Sequence, residues 1–486
     1  MTSVSRFLSS HPEYSATSAF DEWRRSEYGR LDAQGIVYLD YTGGGLHADS
    51  QVREHADLLA RNVFGNPHSA SPSSTAMTDA VERGRAKVLD YFNGTGEYTA
   101  VFTLNASGAL KLVGESYPFR TGGRLLLTVD NHNSVNGIRE FARTKGADVD
   151  YTPLTVPELR IDTPALLSRL DRADRSHPNL LAFPAQSNFS GVKHSLALID
   201  AAHERGWDVL LDAAAFVPTN RLDLRHVAPD FVAVSFYKMF GYPTGVGCLL
   251  VRHAMLEKLQ RPWFAGGTVN FATVQGRGHV LAAREAGFED GTLNYLSIPA
   301  VEIGLRHLER VGIDALQNRT DCLTKWLLSE LVALCHSNGQ RLVQIYGPST
   351  SVDRGATITM NFRDANGTLL DFRRVEELAA GEGISLRTGC FCNPGSGETA
   401  QNLTEDDMRA GLAEGDELTL PRFIEVMQRR GDKSLGAVRV SLGLASNIAD
   451  VDRFLQFAAR FRDQTLATVG ALTVDDANCR VIRDGS

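Results

Sequence analysis

A chain of 486 residues is longer than a single hydrophobic core supports, so it is expected to form at least two domains. Its 43% hydrophobic and 22% charged residues are ordinary for a soluble globular protein. A net charge of −8, with no lysine- or arginine-rich run, argues against nucleic acid as a partner, because phosphate backbones call for a basic surface. The polar amino terminus, with Glu22, Arg24, Arg25 and Glu27, lacks a signal-peptide core. No apolar run approaches the roughly 20 residues of a membrane span. Four of the six cysteines, Cys248, Cys322, Cys335 and Cys479, stand singly, while Cys390 and Cys392 are two apart. Such spacing is no disulfide framework, and a reducing cytoplasm is the expected location.

Residues 1–34 read as an N-terminal arm. From Gly35 onward, short apolar runs alternate with amphipathic stretches. Ile36–Asp40, Ala100–Leu104, Arg124–Asp130, Leu180–Phe183, Val209–Asp212, Phe231–Ser235 and Gly247–Val251 are expected as seven buried strands. A helix over Thr75–Phe92 shows Met77, Val81, Val88 and Phe92 at near-helical spacing. Strands alternating with helices define an α/β domain, 35–300, with a mostly parallel sheet that binds ligands at its carboxyl edge. A helical stretch from Tyr295 to His336 leads into a smaller α+β domain, 301–465. There Arg341–Ile345, Ala356–Asn361 and Ala437–Leu442 read as strands and Leu369–Ala380 as a helix. Asn447 followed by Asp450 signals the start of a helix over Val451–Phe461. The glycine-rich, acidic stretch Asn393–Lys433 reads as a surface insertion, and 466–486 as a tail.

Asp212 ends one apolar strand and Lys238 lies just past another. Pyridoxal phosphate (PLP) needs a lysine for its Schiff base and an acid on its pyridinium nitrogen, so this pair suits it. Taken alone, an aspartate after a strand is equally a helix cap, and a loop lysine equally a solvated side chain. Thr103-Leu104-Asn105-Ala106-Ser107-Gly108-Ala109 joins a strand to a helix start, where N–H groups and Ser107 would cradle a phosphate. Gly241-Tyr242-Pro243-Thr244-Gly245-Val246-Gly247 would allow close backbone approach. Neither is a Walker loop or a dinucleotide fingerprint.

With these segments stand Tyr38-Leu39-Asp40, Gly65-Asn66-Pro67-His68-Ser69, Pro184-Ala185-Gln186-Ser187-Asn188-Phe189-Ser190-Gly191 and Ser235-Phe236-Tyr237-Lys238. Phe288-Glu289-Asp290-Gly291-Thr292, Arg387-Thr388-Gly389-Cys390-Phe391-Cys392-Asn393 and Arg439-Val440-Ser441-Leu442-Gly443 follow. In this order, over about Tyr38 to Arg462, the chain resembles class V, fold-type I PLP enzymes. It is most similar to cysteine desulfurases and to the desulfurase domain of molybdenum-cofactor sulfurases. The resemblance implies a seven-stranded large domain, a smaller α+β domain and a homodimer. It implies that Lys238 carries PLP, Asp212 meets the ring nitrogen and His132 stacks on the ring. Asn188 falls near the ring hydroxyl and substrate, and Ala106, Ser107 and Ser235 at the phosphate. Thr268 would reach the phosphate of the second subunit, although a threonine beside glycines is also an ordinary turn.

Arg439 sits in an apolar strand and must find a counter-charge, either a structural salt bridge or a bound carboxylate. The resemblance makes it the grip on the amino-acid carboxylate, with Arg387 assisting. Cys390 and Cys392 lack a second Cys or His pair at metal-ligand spacing, so no metal is expected. In desulfurases a cysteine on a mobile loop takes the sulfur of PLP-bound cysteine as a persulfide and releases alanine. Cys392 aligns with it, and Cys390 is either a second acceptor or a small buried neighbour. Two departures are Tyr237, where many desulfurases have histidine, and Ala215, where many have glutamine or histidine. The chain ends soon after the matched region, with no room for the cofactor-sulfurating domain of full-length sulfurases, which leaves a sulfur-acceptor protein or small molecule open. The expected activity is conversion of L-cysteine to alanine. Another class V activity (C–S lyase, epimerase or aminotransferase) is the alternative. A silent sulfur-relay scaffold is opposed by the intact Lys238 and Asp212.

Overall fold

In the computed structural model the described residues are 3–67, 69–415, 420–430, 433–470, 474–475 and 480–481. His68 and Cys479 lie outside them. A seven-stranded sheet runs from Tyr98–Thr103 at one edge through Gly247–Arg252, Phe231–Ser235, Asp208–Asp212, Asn179–Pro184 and Arg124–Thr128 to Asp148–Thr152. Gly247–Arg252 is antiparallel to both neighbours, and all other pairs are parallel. The central strands are continuous apolar runs because both faces are covered. Phe183, Leu211 and Val232 pack into one core cluster, while Ala182, Leu210 and Ala233 pack into another.

The sheet differs from expectation at one strand. Ile36–Asp40 does not join it: Val37–Tyr38 pairs in parallel with Ile384–Ser385, and Asp40 bridges Ser441. Val37 and Leu39 are buried in a separate core cluster with Ile358 and Val440. The seventh strand is Asp148–Thr152, whose Asp-Val-Asp-Tyr alternation suits a half-exposed edge rather than a buried run.

A second sheet orders Val343–Tyr346, Thr357–Phe362, Ala437–Ser441 and Arg387–Gly389, all antiparallel. The stretch 295–336 is two helices, Ile298–Val311 and Ile313–Ala333, divided at Gly312, whose φ of 84° no regular helix accepts. Asn447 caps the helix Ile448–Ala459 by accepting from Asp450 N at 3.0 Å. The stretch read as an insertion carries the helices Pro394–Ala400, Glu405–Leu412 and Leu420–Arg429, with 416–419 and 431–432 outside the described residues. The first residues are not loosely appended. Phe7 and Tyr14 are buried in the cluster around the second sheet, and Phe20, Tyr28 and Leu31 in that of the first. Among the described residues no helix is long and apolar enough to cross a membrane.

Candidate active site

The parallel strands deliver their chemistry to one sheet edge, as open α/β sheets do. Asp212 closes its strand, and Ser235 closes the next, after which a helical turn, Phe236–Phe240, presents Lys238. Beyond Thr128 the chain turns through Asp130 to His132, which caps the short helix Asn133–Asn136. Beyond Thr103, Asn105 caps the helix Ala106–Ser116 by accepting from Gly108 N at 2.9 Å.

These ends enclose a cavity of ≈ 400 Å³, within the range of small-molecule sites. Its lining contains Ala106, Ser107, His132, Asn188, Asp212, Ser235 and Lys238, seven of the residues named from sequence. There the start of the helix Ala106–Ser116 meets three hydroxyls. Ser107 Oγ lies 2.6 Å from Ser134 Oγ, and Ser235 Oγ accepts weakly from Ala106 N at 3.4 Å. A helix N-terminus ringed by hydroxyls suits a phosphate. Lys238 and Asp212 share the cavity with the His132 ring. The fit to PLP therefore rests on three chemically distinct features of one cavity: an anion cradle, an acid and a lysine.

Burial pushes the Lys238 pKa down, and the Arg439 charge adds to the effect while Asp212 and Asp40 oppose it. The amine is thereby easier to deprotonate. Burial likewise lowers the His132 pKa, with Asp212 opposing and Lys238 and Arg439 reinforcing. The ring is neutral: its Nδ1 accepts from Ser134 N at 3.1 Å, which leaves the proton on Nε2.

Cys392, Arg387 and Arg439 are not in the cavity lining; Arg439 and the residues on either side of Cys392 adjoin it through Asn188. Asn188 O accepts from Arg439 Nη1 at 2.9 Å, its Nδ2 donates to Phe391 O at 2.8 Å, and its Oδ1 accepts from Asn393 Nδ2 at 2.9 Å. Phe391 and Cys392 both have left-handed backbones, with φ of 56° and 54°, which is uncommon for non-glycine residues. Hydrogen bonds hold them there: Asn133 N donates to Cys392 O at 2.7 Å, and Asn393 Nδ2 donates to Asp130 O at 2.7 Å. The Phe391 ring lies 4.6 Å from the Arg439 guanidinium and 5.6 Å from Phe189. In this structure these hydrogen bonds tie the loop to the cavity wall. The Cys392 thiol is exposed, near enough for its charge to influence Lys238 and Arg439. Cys390 is also exposed, so it is not a buried neighbour.

Thr268 is not brought to the cavity. It closes a turn in its own chain, where its Oγ1 donates to Ala265 O at 2.9 Å and accepts from Ala265 N at 2.8 Å. Tyr237 and Ala215, the two departures, both line the cavity. Residues the sequence reading assigned no role include Ser134, Gln186 and Thr244 in the lining, and Asn393. Asn393 carried a usable signal, since asparagine before proline marks a helix start, and it caps Pro394–Ala400.

The fold and site define a class V PLP-type architecture, and the family model described as Aminotransferase class-V matches residues 37–454. The chain belongs to that family. It is 36% identical over 482 residues to the molybdenum cofactor sulfurase of Arabidopsis thaliana, an alignment covering 90% of this chain and 57% of the relative. It thus spans little more than half the length of that relative. Among solved structures it is similar to a cysteine desulfurase of Thermococcus onnurineus (TM-score 0.74, 22% identity, covering 90% of this chain and 97% of that one). It is also similar to a cysteine desulfurase of Escherichia coli (TM-score 0.69, 20% identity, covering 91% and 98%).

Proposed function

We propose that this chain is a PLP-dependent cysteine desulfurase that converts L-cysteine to L-alanine and carries the sulfur as a persulfide on Cys392. The observation that carries the reading is the juxtaposition of the Lys238–Asp212–His132 cavity with the Cys392 loop, tied to it through Asn188. Lys238 would hold PLP, Asp212 its ring nitrogen, the His132 ring its face, and Ser107, Ser134 and Ser235 its phosphate. PLP, when bound, supplies an electron sink at the amino-acid α-carbon.

The remaining work falls to the chain. Arg439 grips the substrate carboxylate, with its buried Nε–H among the donors. Lys238 Nζ, whose ammonium form is disfavoured by burial, takes the α-proton. The Cys392 thiolate attacks the substrate sulfur as the bond from that sulfur to Cβ breaks. Cβ then gains a proton to become a methyl group, and Lys238 returns a proton to the α-carbon, which completes alanine. Exposure of Cys392 leaves its persulfide open to a sulfur acceptor, a protein or a small thiol. The exposed thiols Cys390 and Cys392 fit a reducing, cytoplasmic location.

A homodimer belongs to the same reading. The hairpin Val269–Thr273/Gly278–Leu281 carries Phe271 at 61% and Val280 at 58% exposure, with Val274 at 94% on its turn. Such a cluster calls for a covering surface, and the hairpin begins next to Thr268. The test of function is a pair of substitutions. Cys392→Ser is expected to retain PLP and L-cysteine binding and to lose persulfide formation, while Cys390→Ser retains all three. Loss confined to Cys390→Ser would reassign the nucleophile. Full activity of the double variant would reject the persulfide route in favour of a C–S lyase.

A further inference from the structure

Asp40 lines no part of the cavity, yet it joins two arginines. Its Oδ2 accepts from Arg387 Nε at 2.8 Å and Nη2 at 2.5 Å, and its Oδ1 accepts from Arg439 Nη2 at 3.1 Å. Arg387 and Arg439 are direct cross-strand partners, and like charges in that register repel. The carboxylate between them turns a repulsive pair into a bridged one. Arg439 is 3% exposed, and with Nη2 on Asp40 and Nη1 on the Asn188 carbonyl, its Nε–H is a buried donor without an acceptor among the described residues.

The surroundings keep Asp40 in this seat. Ser441 N donates to Leu39 O at 2.7 Å, and Asp40 bridges Ser441, so the residue is fixed to the strand that carries Arg439. Any side chain at position 43 would overlap the Asp40 carboxylate, and glycine there leaves it room. On its other side Arg387 opens the strand that runs into Cys390 and Cys392.

We propose that Asp40 is the positioning residue of the substrate anchor. By taking one Nη of Arg439 while Asn188 takes the other, it fixes the guanidinium plane so that the Nε edge meets the amino-acid carboxylate. Through Arg387 it ties that orientation to the strand bearing the nucleophile loop. This deepens the reading of Arg439 as the carboxylate anchor and rests on it.

Asp40→Asn preserves shape, but an amide must turn its N–H groups toward one of the two guanidinium groups, and the bridge breaks. Gly43→Ala keeps the charge and takes the seat, so it separates orientation from Coulombic attraction. The assay titrates each PLP-loaded variant with L-alanine and with ethylamine, the same amine without its carboxylate, and reads the change in cofactor absorbance. Both variants are expected to raise the Kd for L-alanine about tenfold or more and to leave that for ethylamine unchanged. With L-cysteine, KM is expected to rise more than kcat falls. Unchanged or tighter L-alanine binding in both variants would overturn the proposal, as would equal weakening of both ligands, the mark of a merely structural role. Wild-type protein that bound L-alanine no better than ethylamine would overturn the anchor itself. Failure of wild-type to form persulfide, with the L-alanine preference intact, would reject only the desulfurase reading.

Discussion

Asn393→Ala tests whether the nucleophile is held by the loop or merely carried on it. The Asn393 side chain is fully buried and makes three hydrogen bonds: to Asp130 O at 2.7 Å, to Asn188 Oδ1 at 2.9 Å, and from Ser396 N at 3.2 Å as a helix cap. Removing it leaves two buried acceptors unmet, at about 1–3 kcal/mol each, and loses a cap worth about 1 kcal/mol. Phe391 and Cys392 meanwhile sit in left-handed backbone that costs about 1–2 kcal/mol per residue. The clamp, at about 3–7 kcal/mol, outweighs the strain of about 2–4 kcal/mol, and without the clamp the loop relaxes. Displacement of the thiol by an ångström is enough for a roughly 10²-fold loss in rate. Persulfide formation under single turnover is expected to fall by that factor, while the absorbance of bound cofactor persists because Lys238 and Asp212 lie on other elements. Asn393→Asp keeps the cap oxygen but removes the donor, and sulfur transfer is expected to fall comparably. Wild-type rates in both variants would refute the argument that strain and clamp together place Cys392.

Two further predictions concern stability and assembly. His307 is buried against the Tyr28 hydroxyl at 3.0 Å, and burial pushes its pKa down to about 4. Below its unfolded value of about 6.5 the unfolded chain takes a proton that the folded one refuses, so stability is lost as pH falls from about 6.5 toward 4, by at most about 3 kcal/mol. His307→Gln is expected to flatten that part of a Tm–pH profile, and an unchanged slope would contradict this. Phe271→Glu combined with Val274→Glu is expected to yield monomers by light scattering, with weakened PLP retention if the hairpin completes a neighbouring phosphate site. A dimer that persisted would move the interface elsewhere.

Asp212 and Lys238 were legible because each follows an unbroken apolar run, the mark of a strand buried on both faces. Ile36–Asp40 has the same local pattern, but a short apolar run says nothing about which sheet receives it, and it pairs with Ile384–Ser385. Asp148–Thr152 was hidden by its alternating acids, which suit an edge. The Asp40–Arg387–Arg439 bridge and the Asn188 hub join segments far apart in the chain, and no local spacing encodes such contacts. The pinned loop was illegible for another reason. Positive φ at Phe391 and Cys392 arises from tertiary hydrogen bonds, since neither residue type favours it.

The central claim is that Cys392 takes the sulfur of a cysteine activated in the Lys238 cavity. Its most direct test mixes PLP-loaded protein with one equivalent of L-cysteine in the absence of reductant, then quantifies alanine and maps the mass of the peptide containing Cys392. Stoichiometric alanine and one added sulfur atom on Cys392 are expected. Pyruvate with free sulfide and an unmodified Cys392 would contradict it.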